Sequence, residues 1–139
     1  MDIKDPIHGY IKLNEVEKEL LDSPQVQRLR RIRQLGLSSQ VYPGATHTRF
    51  QHSLGVMYLA GRFADSLNLD EDKKQEIITA GLLHDTGHVP FLHASETVAE
   101  KRDIDHEDIS CNGVDQLSGK IKSDTDRTQK IIKRALEIG

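Results

Sequence analysis

Residues 80–88 read Ala80-Gly81-Leu82-Leu83-His84-Asp85-Thr86-Gly87-His88. An apolar helical run ends here in an imidazole beside a carboxylate, and a second imidazole follows four residues after the first. Burying such groups without partners costs several kcal/mol. A metal ion is the simplest single partner for all three. The run leading into the motif, Ile77, Ile78, Leu82 and Leu83, has helical spacing, and Asp70 stands where its N-cap is expected.

The same helical period extends through most of the chain. Asn14 is a candidate N-cap for residues 14–22, where Val16, Leu20 and Leu21 make the apolar stripe. Ser23-Pro24 reads as N-cap and first position of a second helix. Val26, Leu29, Ile32 and Leu35 face its core side, and Gly36 is expected to stop it. Residues 37–48 form a loop around Pro43-Gly44. A third helix runs from about Arg49 to Leu67, with a middle, Leu54 to Gly61, that is apolar on nearly every face and therefore reads as buried. Gly55 and Gly61 on it allow close approach of neighbours. Pro90 opens a fifth helix, and two weaker ones follow near 105–118 and 124–138. Only residues 3–13 depart, as a short extended start broken by Asp5-Pro6 and His8-Gly9. The fold expected is an all-α helical bundle with a short extended N-terminal segment, in one domain over 1–139.

Composition narrows the function classes. The chain of 139 residues carries a net charge of -3, which argues against a nucleic-acid partner. A single cysteine, Cys111, excludes a disulfide framework and a cysteine-based zinc site. No apolar run reaches the roughly 18 residues of a membrane span, so no membrane partner is expected and the location expected is cytoplasmic. Seven histidines are many for so plain a sequence, and His84, His88, His93 and His106 fall within 23 residues. His47 and His52 form a second group. The candidate third ligand is His52, which opens an otherwise apolar helix and needs a polar partner there. Two imidazoles and a carboxylate suit Zn, Fe, Mn or a similar divalent ion, and spacing does not choose among them. Hydrogen bonding of His52 and capping by His84-Asp85 are the plainer alternatives.

Four ordered blocks carry a family resemblance. They are Asp5 to Gly9; Gln27 to Gly36; Pro43 to Val56, including Arg49-Phe50-Gln51-His52; and Ala80 to Phe91. Together they resemble the HD-domain phosphohydrolases, named for a His…His-Asp…Asp metal motif, and within them the deoxynucleoside triphosphate triphosphohydrolase branch that includes the SAM-and-HD-domain enzyme. The resemblance covers about residues 3–110. It implies a divalent metal cofactor (Zn, Fe, Mn or Mg) on His52, His84 and Asp85, and a nucleotide substrate cleaved to nucleoside and tripolyphosphate. It also implies that His88 and His106 face the substrate phosphates, that His93 is the catalytic acid, and that Glu96 orients it. Gln34 and Leu35 correspond to sugar contacts, and Arg49 to a residue on the phosphate or base side. Relatives are homo-oligomers, and the same is expected of this chain.

Two positions depart from the pattern. Relatives carry Glu before the first metal histidine, where this chain has Gln51, which removes a carboxylate from beside the ligand. The fourth ligand, a downstream Asp, has no counterpart. None of Asp108, Asp115, Asp124 and Asp126 has the expected flanking pattern. The expectation is a C-terminally incomplete HD domain, with a catalytically impaired nucleotide-binding or assembly module as the alternative to an active hydrolase. Arg28, Arg30, Arg31 and Arg33 read as a solvated helix face, with phosphate binding as the other reading and Arg28 the one expected to be buried and paired.

Overall fold

Four α-helices, two short 3-10 turns and one hairpin are the ordered elements among the described residues of the computed structural model, 1–87 and Arg134. The extended start folds back on itself. Strands β1 (Asp2–Asp5) and β2 (Gly9–Lys12) pair antiparallel, with Asp2 opposite Lys12 and Asp5 opposite Gly9. The buried Asp5 carboxylate makes the turn by accepting from the Ile7 and His8 amides at 2.9 and 2.8 Å. Gly9 completes it at φ +76°, a conformation that costs a side-chain-bearing residue dearly. A hairpin this small is marginal by itself. Burial of Ile11 and Leu13 ties it to the helical core.

Each expected N-cap is in place. Helix α1 (Glu15–Leu21) starts from an Asn14 capping box, in which Asn14 Oδ1 accepts from the Glu17 amide and Glu17 Oε2 accepts from the Asn14 amide, both at 2.9 Å. Helix α2 (Pro24–Arg28) follows Ser23, and helix α4 (Glu71–Leu83) follows Asp70. Helix α3 (Arg49–Ser66) has a second capping box, Thr48 with Gln51. The Gln51 side-chain oxygen accepts from the Thr48 amide at 2.9 Å. Position 51 therefore serves the helix start, and a glutamine amide does that work as a carboxylate would.

The second helix is shorter than its apolar spacing predicts. It passes into a 3-10 turn at Leu29–Arg31, and Ile32 is extended at φ -110°, ψ 118°. The cause is non-local. The Arg49 amide donates to Ile32 O at 2.8 Å, the Gln34 amide donates to His47 O at 3.0 Å, and Arg33 bridges Thr48. Continuing the helix to Gly36 would forfeit that pairing with the lead-in to α3. Gly36 stands at φ +54° in the turn beyond.

The core gathers Leu20, Leu21, Val26, Leu29, Leu54 and Leu82, all at most 2% exposed, around the α3–α4 pair. α3 is not buried on every face as its composition suggests. Leu59 and Phe63, one turn apart, are 45% and 68% exposed. Gly61 meets Ile78 as a helix-contact glycine, whereas Gly55 receives the His8 ring rather than a helix. Gly81 lets α4 come close to the α3 backbone, where an added Cβ would lie 3.3 Å from the Met57 Cα and N. Arg134 Nη1 pairs with Glu76 Oε1 on α4 at 2.9 Å. The expected fifth helix and the helices near 105–118 and 124–138 fall outside the described residues, Arg134 aside. Among the described residues no helix is long and apolar enough to cross a membrane.

Candidate metal centre

α3 and α4 cross so that His52, one turn into α3, faces the C-terminal end of α4. His84 is the C-cap of α4, and Asp85 follows as the chain turns away, buried at 4% exposure. The ring of His84 is oriented by its own helix: Nδ1 stands 2.9 Å from Gly81 O. A carbonyl only accepts, so Nδ1 carries the proton and neutral His84 presents a lone pair at Nε2. That Nε2 is 3.3 Å from His52 Nε2 and 3.6 Å from Asp85 Oδ1. The ligand atoms of all three residues lie within 4.8 Å of one another.

These separations fit a shared ion. Two ligand atoms each about 2.0–2.1 Å from one ion, at right to tetrahedral angles, stand about 2.9–3.4 Å apart. The imidazole nitrogens already have that spacing, and Asp85 Oδ1 stands slightly beyond it from His84 Nε2, at 3.6 Å. Burial lowers the His52 pKa below its ordinary value, against an opposing pull from Asp85, and the ring stays neutral as a ligand must be.

Two arginines hold the segment that carries the ligands. Arg49 Nη1 contacts Asp85 Oδ2 at 2.9 Å, with both side chains at most 6% exposed. Arg28 Nη2 donates to Thr86 O at 3.0 Å. Arg28 is thus paired as expected, yet exposed rather than buried. Arg30, Arg31 and Arg33 are exposed as a solvated face would be, with Arg30 lying 3.6 Å over the Phe50 ring.

The structure brings together His52, His84, Asp85 and Arg49. The Arg49–Asp85 pair is the one element of the site that the sequence motifs do not announce, and its only signal is an arginine opening an apolar helix. The guanidinium of Arg49 is directed at Asp85 rather than at open space. Gln34 is half-buried, and its side-chain oxygen has no hydrogen-bond partner among the described residues. Leu35 is 46% exposed beside it. His88, His93, Glu96 and His106 lie outside the described residues. A cleft of about 450 Å³ opens beside His52, and its lining includes His8, His47, Gln51, Val56 and Leu59.

A family profile described as "HD domain" matches residues 49–138. The chain belongs to the HD-domain family. His52, His84 and Asp85 all lie inside that match, and HD domains hold divalent metals. The human deoxynucleoside triphosphate triphosphohydrolase SAMHD1 is 48% identical over 98 residues, which are 66% of this chain and 16% of that protein. An uncharacterized protein of Methanocaldococcus jannaschii is 45% identical over 102 residues, 73% of this chain and 22% of its own. A solved structure of a hypothetical protein from Aquifex aeolicus superposes with a TM-score of 0.79 at 35% identity, covering 99% of this chain and 37% of that one. This HD domain therefore stands with the SAMHD1-like branch, and it spans less than a quarter of the length of either the human or the archaeal relative.

Proposed function

We propose that this HD domain is a divalent-metal-dependent phosphohydrolase acting on deoxynucleoside triphosphates, releasing nucleoside and tripolyphosphate. The observation that carries the reading is the His52–His84–Asp85 cluster, with two imidazole nitrogens at one-ion spacing on two packed helices. The substrate class is supported by the likeness to deoxynucleoside triphosphate triphosphohydrolases.

A divalent ion held there supplies Lewis-acid polarisation of a phosphoryl oxygen and a more acidic water. The residues do the remaining work. His84 is fixed in one tautomer by Gly81 O, and His52 is kept neutral by burial. Asp85 brings the negative charge. Gln34 and Leu35 are assigned to the sugar, His88 and His106 to the phosphates, His93 to protonation of the leaving oxygen, and Glu96 to orienting His93. The reading includes a homo-oligomer, for which the exposed Leu59 and Phe63 offer apolar surface.

The test is incubation of the protein with each deoxynucleoside triphosphate and Mn²⁺, with separation of tripolyphosphate from other products. Tripolyphosphate should form and should be lost in His84→Ala at unchanged helical content. A nucleotide that raises the melting temperature while no product forms supports the impaired binding module instead.

A further inference from the structure

His84 and Asp85 are the two central residues of one tight turn, from Leu83 to Thr86. The Thr86 amide donates to Leu83 O at 3.0 Å and closes the turn, and Thr86 Oγ1 donates to the same carbonyl at 2.7 Å. These bonds are local. They fix the shape of the turn and leave open where it lies relative to His52 on α3. Other elements supply that placement. Arg49 of α3 meets the Asp85 side chain at 2.9 Å. On the backbone side, Arg28 donates from Nη2 to Thr86 O at 3.0 Å, across 58 residues of sequence. Arg28 is the last residue of α2, and its neighbours Val26 and Leu29 are both 0% exposed, so the guanidinium reaches out from an anchored base. A charged donor makes the stronger kind of hydrogen bond, and a cation is favoured at the carbonyl end of a helix such as α4.

We propose that Arg28 is a positioning residue for the metal centre: by holding Thr86 O it sets where the turn carrying His84 and Asp85 stands against His52. The inference rests on His52, His84 and Asp85 being the ligands. Arg28 acts here through the backbone of Thr86. The site has little slack for a displaced turn, because the two imidazole nitrogens stand 3.3 Å apart, inside the narrow range that one shared ion allows. A role confined to the stability of α2 would lower the melting temperature and leave coordination as it is. A positioning role changes the coordination itself, because loss of a group that supports a metal ligand weakens binding about 10–100-fold.

The experiment titrates Co²⁺ into the 139-residue chain. Affinity and the visible bands, which report coordination geometry, are read beside the melting temperature. R28Q removes the charge and the reach, R28K keeps the charge, and V26A weakens the packing of α2 without touching Thr86. R28Q should bind Co²⁺ about tenfold more weakly than wild type, with altered bands. R28K should fall between R28Q and wild type. V26A empties a fully buried position and should lose more melting temperature than R28Q, with affinity and bands unchanged. Folded R28Q with wild-type affinity and bands overturns the proposal, as does V26A that loses affinity as R28Q does. If R28Q fails to fold, R28K decides: weaker binding with altered bands supports the proposal, and wild-type binding overturns it. Failure of both to fold also overturns it, since Arg28 then holds the fold and not the site. Wild type that binds no Co²⁺ removes the ligand assignment itself, a result distinct from wild-type binding that R28Q leaves unchanged.

Discussion

Gly81→Ala tests whether the α3–α4 contact sets the bite of the metal site. Gly81 has two roles. Its carbonyl orients His84 through Nδ1 at 2.9 Å. Its bare Cα lets α4 approach the α3 backbone, where a Cβ would meet Met57 Cα, Met57 N and Val56 Cγ1 at 3.3 Å. Carbon atoms rest at about 3.5–4.0 Å, so the helices must part by a few tenths of an ångström. The obstacle is mostly backbone, which cannot rotate away. Helix propensity opposes the cost, since Ala is better than Gly in a helix interior by about 0.5–1 kcal/mol. Overpacking a tight contact costs about 1–3 kcal/mol. The clash should win by roughly 1 kcal/mol, lowering the melting temperature by about 4 °C. The same displacement moves His84 relative to His52 and shifts the carbonyl that orients it. Metal affinity should fall by on the order of tenfold, the lower end for an outer group supporting a ligand. Urea unfolding followed by circular dichroism reads the first effect, and Co²⁺ titration reads the second. A Gly81→Ala chain at least as stable as wild type, with unchanged Co²⁺ affinity, would refute the reasoning.

Leu54→Ala removes a side chain 2% exposed at the centre of α3 and should cost about 2–5 kcal/mol, measured by urea unfolding. Gln51→Glu should preserve the α3 capping box and leave stability unchanged or raised by about 0.3–1 kcal/mol, because a carboxylate suits a helix N-terminus; a clear loss would mean that the amide at 51 does something besides capping. His52 has a lowered pKa in the fold, so the unfolded chain takes up its proton first as pH falls. Its contribution to stability is therefore complete above pH 6.5, the ordinary histidine value, and declines as pH drops below that toward the folded value. The urea midpoint of metal-free wild type should fall more between pH 7.5 and 5.5 than that of His52→Gln. Equal falls would contradict the half-buried ring's preference for its neutral form.

What could be read from the sequence was local. Asn14, Ser23 and Asp70 cap their helices because a short polar side chain followed by an apolar stripe specifies a helix start from neighbours alone. His52, His84 and Asp85 could be paired because three ionisable groups at the margins of apolar helices need a common partner. The misplaced features depend on distant residues. Ile32 has the spacing of a helical core residue, yet its carbonyl is taken by the Arg49 amide and the helix ends before it. The apolar middle of α3 does not reveal that its Leu59 and Phe63 side lacks a cover among the described residues. For Arg49 the substrate-side expectation stands untested, and the crossing of α3 with α4 adds a contact that the sequence does not announce, its guanidinium 2.9 Å from Asp85. Gln51 has the look of a lost carboxylate beside a ligand, and its hydrogen bond to Thr48 identifies a cap.

The most direct measurement is metal stoichiometry with its affinity in wild type, His52→Ala and His84→Ala, each checked for native helical content. One divalent ion per chain in wild type, with binding weakened at least about tenfold in both variants, is the result expected when the two imidazoles share an ion. Wild type that binds no divalent ion, or variants that retain wild-type affinity, would contradict the central claim that α3 and α4 together form a metal site.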